Sequence, residues 1–270
     1  MSYIITGHKG FIGKNLANRF DEYIGFGIDD NYDENAFKEC DGIFHIGACA
    51  DLREPDINNM FYHNFVRSRV VFEFAKKYDK RVVFASSSAI YGYGGSLVRS
   101  SGPTNSYSWS KYCAEKLGMS LLGDKFISLR FFNTYGIGEE HKGLMSSIPY
   151  QIYKSDNFGI FPQDGNENKS PQRDFIWVED VVDACILAMK EYTTINGNIS
   201  GIYDVGTGKP TSYNDICDVL DVPYHFTNVN QKPIGYQDYT CAATHTFLPN
   251  WTPTDPLIGI KKYKEQLDGR

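Results

Sequence analysis

The run Tyr3-Ile4-Ile5-Thr6-Gly7-His8-Lys9-Gly10-Phe11-Ile12-Gly13 decides the fold. A short apolar strand candidate, Tyr3 to Thr6, passes directly into a G-x-x-G-x-x-G loop, and a helix candidate from Phe11 to Phe20 follows. Strand, glycine turn and helix in that order bring bare main chain to a helix N-terminus, where unpaired N–H groups and the helix dipole favour a pyrophosphate. Glycines are common in tight turns, so the motif draws its weight from what surrounds it. The next strand candidate, Ile24 to Ile28, runs into Asp29, sixteen residues past Gly13. A carboxylate there can accept hydrogen bonds from both ribose hydroxyls of an adenosine, with Asp30 as the rival. Asp29 and Asp30 would repel a ribose 2′-phosphate and favour NAD, whereas Lys9 inside the loop could reach that phosphate and favour NADP. Two carboxylates outweigh one flexible lysine, so NAD is preferred and NADP is the alternative.

Outward from this start, short apolar runs alternate with helix-length amphipathic ones, the pattern of βαβ units and a parallel sheet. Gly42 to Ile46, Arg81 to Ala85 and Phe126 to Phe131 are further strand candidates. Ile57 to Tyr78 and Tyr107 to Leu122 read as helices, the first with Ile57, Phe61, Phe65, Phe72 and Ala75 near helical spacing. The fold class is α/β, a Rossmann-like doubly wound parallel sheet. After residue 136 the pattern loosens into stretches such as Pro162-Gln163-Asp164-Gly165-Asn166, broken by an amphipathic run from Val181 to Tyr192 and a strand candidate, Ile202 to Val205. This predicts a dinucleotide-binding domain from residues 1–136 and about 174–208, and a smaller mixed lobe for substrate from about 137–173 and 209–270.

Composition narrows the class. The chain has 270 residues, a formal charge of −6, 41% hydrophobic residues and no basic stripe, which disfavours nucleic acid as a partner. No apolar run approaches membrane-spanning length and no leader is evident, so a cytoplasmic protein is expected. The six cysteines (Cys40, Cys49, Cys113, Cys185, Cys217, Cys241) show neither C-x-x-C nor zinc-ligand spacing and read as reduced core thiols, with no metal site.

Two more segments sit where ligands bind in doubly wound folds, at strand ends. Ala85-Ser86-Ser87-Ser88-Ala89-Ile90-Tyr91-Gly92 follows one strand; Tyr107-Ser108-Trp109-Ser110-Lys111 opens a helix and sets Tyr107 and Lys111 one turn apart on one face. A tyrosine titrates near pH 10, but a nearby ammonium stabilises its phenolate, which makes Tyr107 a plausible general base.

Taken in order, Thr6-Gly7-x-x-Gly10-Phe11-Ile12-Gly13, Phe44-His45-Ile46-Gly47-Ala48, Ser86 to Gly92, Tyr107-x-x-x-Lys111, Arg130-Phe131-Phe132-Asn133-Thr134-Tyr135-Gly136 and Arg173-Asp174-Phe175-Ile176-Trp177-Val178-Glu179-Asp180-Val181 resemble the motifs of the extended short-chain dehydrogenase/reductases that act on nucleotide sugars. The resemblance reaches Trp251-Thr252-Pro253. Within that superfamily, Tyr135-Gly136-x-x-Glu139-x-His141-Lys142-Gly143-x-Met145-x-Ser147 is similar to a segment of the ADP-glycero-manno-heptose 6-epimerases. This implies a nucleotide-sugar epimerase with tightly bound NAD(P), in which Lys142 is a second acid/base group across the sugar from Tyr107. A solvated loop lysine or a sugar-phosphate contact is the other reading of Lys142.

The resemblance also implies that Ser87 bonds the reacting oxygen, with Ser88 beside it. It implies cofactor contacts from Gly7, Lys9, Gly10, Phe11, Ile12, Gly13, Asp29, Asp30, Ala48, Asn64, Tyr107 and Lys111. Substrate contacts follow from Ser87, Ser88, Asn133, His141, Arg173 and Tyr236, with Arg173 clamping the diphosphate. His45 reads as a packing or hydrogen-bonding residue. The helices Ile57 to Tyr78 and Tyr107 to Leu122 are where such proteins pack into homo-oligomers, and Phe61, Phe65 and Phe72 suit that seam or an internal core equally.

Three departures stand out. Gly235 occupies the place of an arginine before Tyr236-Gln237, so a second cation for the diphosphate is missing or is Lys232. Gly47 replaces a usual alanine. Only Asn31 to Cys40 lie between Asp30 and Asp41, where the family places a helix and a further strand, so one βα unit is expected to be missing and the adenine pocket open. Alternatives are an NDP-hexose 4-epimerase, a net oxidoreductase on a nucleotide sugar, or a degenerate dinucleotide-binding protein. Ser88-Ala89 lacks the acidic residues of dehydratases.

Overall fold

The computed structural model describes residues 2–51, 54–163, 169–190, 201–228, 230, 232 and 236–270. Gly235, residues 164–166 and the end of the run at Tyr192 lie outside them.

The chain enters the sheet at β1 (Tyr3–Thr6), turns through the glycine loop into α1 (Phe11–Ala17) and returns as β2 (Tyr23–Phe26). A short helix α2 (Glu34–Glu39) crosses to β3 (Gly42–His45). Next come α3 (Ile57–Phe61), a π-helical turn (Tyr62–Val66) and α4 (Arg67–Lys77), then β4 (Val82–Ser87), α5 (Ser106–Leu122) and β5 (Phe126–Phe131). These strands and the later β10 (Gly201–Val205) form one parallel sheet in the order β10-β5-β4-β3-β1-β2.

Both faces of the sheet are covered. Ile4, Ile43, Val82, Phe84 and Phe126 pack with Phe37, Val71, Phe72 and Ala114 from α2, α4 and α5. Ile5, Phe44, Val83, Ile127 and Leu129 pack on the other side with Leu16 of α1 and Val181, Val182 and Cys185 of α7 (Val178–Lys190). Burial on both faces is why these strands read as unbroken apolar runs, and each such side chain contributes roughly 1.5–3 kcal/mol.

The missing unit is smaller than the sequence suggests. A strand is absent between Asp30 and Asp41, but α2 remains, with Asp33 accepting a hydrogen bond from Asn35 N at its start. Phe37 is the reason: buried, it stacks on Phe26 at 5.8 Å and meets Phe74 at 5.1 Å, covering core that would otherwise meet water. β2 is thereby left as the sheet's edge.

The second core gathers Tyr135, Ile152, Ile160, Phe175, Tyr213, Ile216, Ile260 and Tyr263. They come from β6 (Asn133–Tyr135), α6 (Ile148–Tyr153), β7 (Phe158–Ile160), β9 (Phe175–Trp177), α8 (Tyr213–Leu220) and α9 (Pro256–Asp268). Phe72 belongs to the internal core at 0% exposure, which removes it from any subunit seam. All six cysteines are free thiols, but only Cys40, Cys185 and Cys217 are buried; Cys49, Cys113 and Cys241 are half-exposed, correcting the expectation of six core thiols. Among the described residues no helix is long and apolar enough to cross a membrane, and no His/Cys/Asp/Glu cluster could hold a metal.

Candidate active site

A cavity of about 650 Å³ opens at the C-terminal ends of the strands, from the glycine loop to α5. Gly7, Lys9, Gly10, Phe11, Ile12 and Gly13 line one end, with Asp29, Asp30 and Ala48 beside them. The loop is a fitted cradle. Gly7 has φ +70°, and a Cβ on Gly13 would stand 2.0 Å from Gly7 O. Gly47 now has a reason: a Cβ on Gly7 would sit 2.5 Å from Gly47 Cα, and one on Gly47 would be 3.0 Å from Gly7 N. The two loops touch backbone to backbone, and the cavity they bound has the form and size of a dinucleotide site.

Asp30 is less available than Asp29. Its Oδ2 accepts a hydrogen bond from Gly27 N at 2.6 Å and so braces the turn after β2. Asn64 spends its side chain on the protein itself. It is fully buried on the π turn, its amide donates to Cys49 O (2.9 Å) and Ser110 Oγ (3.0 Å), and its Oδ1 accepts from Cys49 N (2.7 Å). With those bonds made it positions the loop carrying Ala48 and does not line the cavity.

At the other end stand Ser87, Tyr107 and Lys111. Asn105 caps α5 by a reciprocal box with Ser108, which fixes the first turn that carries Tyr107. Ser87, the last residue of β4, lines the cavity beside Tyr107, and its Oγ accepts from Ala89 N at 3.1 Å. The Tyr107 phenol is pushed above its ordinary value by burial, with the Ser87 hydroxyl pulling it down. In the chain alone burial sets the direction of that shift, against the expectation that Lys111 would lower the phenol. Lys111 is itself 1% exposed and pushed down to about 7 by burial, with its Nζ 4.2 Å from the Phe84 ring centre.

What opposes that push is Glu115, one turn further along α5 and fully buried. Its carboxylate accepts from Ser86 Oγ (2.9 Å), Ser128 Oγ (2.8 Å) and both Nε and Nη2 of Arg130 (3.0 and 2.5 Å). Arg130 also stacks on Tyr91, whose hydroxyl donates to Asp204 at 2.6 Å. The sequence signal for Arg130 was a charge inside a largely apolar strand, since buried charges need partners; Glu115 lies in a helix that also carries Lys111 and Lys116, where a carboxylate does not stand out.

Lys142 and His141 also line the cavity, from a 3₁₀ segment Glu140–Met145. Burial lowers the Lys142 ammonium, against the pull of Glu139, and its Nζ lies 5.2 Å from the Phe11 ring centre. Glu139 anchors this segment through Gly136 N, Ser147 Oγ and Tyr263 OH.

A second cavity of about 230 Å³ shares Ala50, Ser87, Tyr107, Phe131 and Phe132 with the first. Ser88, Asn133 and Arg173 line it. Asn133 donates to Asp174 O and Thr240 Oγ1, so it ties the loops around this cavity together. Arg173 donates to Gln237 O from Nε (2.9 Å) and Nη2 (2.6 Å) and lies 4.7 Å from the Tyr236 ring centre. Tyr236 lines neither cavity. It packs behind Arg173. Lys232 is drawn to Asp238 at 2.5 Å and to Pro162 O, which removes it as a free second cation. His45 is buried, bonded to Thr6 Oγ1 and Ser68 Oγ and held neutral down to about 3 by desolvation, as a packing residue should be.

A nucleotide-binding sheet with a Ser–Tyr–Lys set at its strand ends defines a dehydrogenase/reductase type of site. The profile of the NAD dependent epimerase/dehydratase family matches residues 3–206, and the chain belongs to that family. It is 29% identical over 254 residues to the ADP-L-glycero-D-manno-heptose-6-epimerase of Thiobacillus denitrificans, covering 79% of this chain and 75% of that protein. It is 28% identical over 260 residues to the enzyme of the same name from Cupriavidus pinatubonensis, covering 82% and 77%. The crystal structure of the Helicobacter pylori ADP-L-glycero-D-manno-heptose-6-epimerase superposes with TM-score 0.81 at 26% identity, over 100% of this chain and 96% of that one. MoeE5 in complex with UDP-glucose and NAD has the same fold (TM-score 0.80, 21% identity, 100% and 99% covered).

Proposed function

We propose that this chain epimerises a nucleotide-diphosphate sugar at a secondary hydroxyl-bearing carbon, with C6 of an ADP-heptose as the substrate that fits best. The observation carrying this reading is that Ser87, Tyr107 and Lys111 on one set of elements and Lys142 on another line one cavity. A bound nicotinamide supplies the hydride acceptor and donor that make the sugar transiently a ketone. The chain's own residues move the proton. Tyr107 takes it from the sugar hydroxyl, Ser87 holds the oxygen, and Lys111 supplies positive charge beside the phenolate. Lys142, held off its ordinary value by burial, serves the same oxygen when the sugar presents its other face. An epimerisation without net redox change needs a proton-transferring group within reach of the oxygen in both orientations of the sugar, and this pair supplies one for each.

Asp29 supports NAD over NADP, because it lines the cavity, among the described residues its carboxylate is the unengaged one of the pair, and it would repel a 2′-phosphate. Arg173 is the diphosphate contact, with the sugar in the 230 Å³ cavity between it and Tyr107. The two cores support a division into a cofactor domain and a substrate lobe. Exposed Ile57, Tyr62 and Trp109 on α3, the π turn and α5 support a homo-oligomer, and six free thiols fit a reducing compartment such as the cytoplasm.

The test is direct. Native mass spectrometry of the purified protein should show a retained dinucleotide, and ADP-heptose of either C6 configuration should give the same mixture by proton NMR. An NDP-hexose epimerised at C4 while ADP-heptose is untouched would replace the substrate. A protein that takes up no NAD or NADP would replace the enzyme by a degenerate binding protein.

A further inference from the structure

The adenosine end of the cavity is built without the strand that the family places after β2, so something else must hold the turn that carries Asp29. Residues 64–68, from the π turn into α4, touch each loop at this end. Asn64 grips Cys49 through both main-chain groups. Ser68 Oγ meets His45 Nε2 at 2.8 Å at the end of β3. Arg67 reaches furthest: its Nη2 donates to Asp30 O at 2.6 Å, and its guanidinium carbon lies 4.4 Å from the Tyr32 ring centre. Tyr32 in turn packs edge-on against Phe26 and Phe37, which ties it to the core. The turn 27–32 is therefore closed from inside by Asp30 on Gly27 N and from outside by Arg67 on Asp30 O.

This is an arrangement in which the cation's work is local. Among the described residues Arg67 gives its Nη2 to a carbonyl and its flat face to a ring, and no carboxylate lies within ion-pair distance of it. We propose that Arg67 is a positioning residue for the adenosine half of the cofactor, holding the 27–32 turn so that Asp29 stays on the cavity wall, in place of the missing strand. The proposal rests on reading the cavity as a dinucleotide site.

The experiment compares three ligands on the full chain by titration calorimetry: NAD, ADP-ribose, which keeps the adenosine half, and nicotinamide mononucleotide, which lacks it. R67L is expected to weaken NAD and ADP-ribose about tenfold, equivalent to about 1.4 kcal/mol, and to leave nicotinamide mononucleotide within about twofold. R67K keeps a donor for the carbonyl but loses the flat stack, and should recover part of the loss. Unchanged NAD and ADP-ribose affinity in folded R67L overturns the proposal, as does equal weakening of all three ligands. If R67L does not fold, Y32L removes the plate and leaves Arg67; it should show the same split between ligands, and wild-type binding by Y32L overturns the proposal. A wild-type protein that binds none of the three overturns the dinucleotide reading itself, which separates the two failures.

Discussion

The two ends of the cofactor cavity are built to different standards. At the catalytic end, β4, α5 and β5 enclose Ser87, Tyr107 and Lys111, and beneath them Glu115 and Arg130 form a buried pair satisfied by Ser86 and Ser128. At the adenosine end the wall is an edge strand of four residues, a six-residue helix and a turn held by two hydrogen bonds. Proton transfer needs a fixed distance and a chosen charge state, which only a packed, low-dielectric setting maintains. Holding an adenosine needs a few contacts of modest strength, and these can come from different elements without loss of mechanism. A deletion is therefore tolerable at one end and not at the other.

That contrast predicts a gradient of effects. The largest is at Tyr107: Tyr107→Phe should lower turnover about 10³-fold with NAD affinity and the circular dichroism spectrum unchanged, and activity near wild type would take the phenol out of the mechanism. Lys142→Met should come next, with about a 10²-fold loss in epimerisation while transfer of deuterium from substrate labelled at the reacting carbon to the bound cofactor, which reports the first half-reaction, persists. Loss of both in equal measure would make Lys142 a binding residue instead.

Lys111 offers a test in stability rather than rate. Its folded value is about 7 against an ordinary 10.5, so between those pH values the unfolded chain holds a proton that the folded chain has released. Cofactor-free protein should therefore gain a few kcal/mol from this residue as pH rises through that window, having none of that gain below pH 7. Urea denaturation of wild type and Lys111→Met across the window should diverge in slope; parallel curves would show that burial does not lower the Lys111 ammonium in the folded chain.

The smallest effect belongs to the adenosine end. Asp29→Ala should weaken NAD about tenfold and relax discrimination against NADP, with turnover at saturating cofactor unaltered. An unmoved affinity would shift the ribose contact to Asp30.

Much of the catalytic end was legible from residue order. Tyr107 and Lys111 are four apart at the start of a helix, and helical pitch alone puts them on one face. The strands were legible because each is buried on two faces and reads as a continuous apolar run. The bracket around the adenosine end was not. Ile57 to Tyr78 has the spacing of one regular helix, and the π turn inside it places Asn64 against Cys49 and Ser110, contacts whose partners lie 15 and 46 residues away. Tyr236 and Lys232 lie in a segment read as substrate-binding from its resemblance, and the sequence did not show that Tyr236 packs on Arg173 or that Lys232 pairs with Asp238. Such roles depend on which neighbour arrives first within hydrogen-bonding reach, a property of packing and not of spacing.

By itself, then, the sequence determined the sheet, the glycine cradle, the Ser–Tyr–Lys set and the shortened segment after Asp30, because each is written in contiguous residues or in a local period. The tertiary structure alone decided which Asp is engaged, that α2 survives to cover Phe26 and Phe74, and that burial rather than its neighbouring ammonium governs the Tyr107 phenol. Desolvation and long-range hydrogen bonds arise only when distant segments exclude water together, and no local pattern records them.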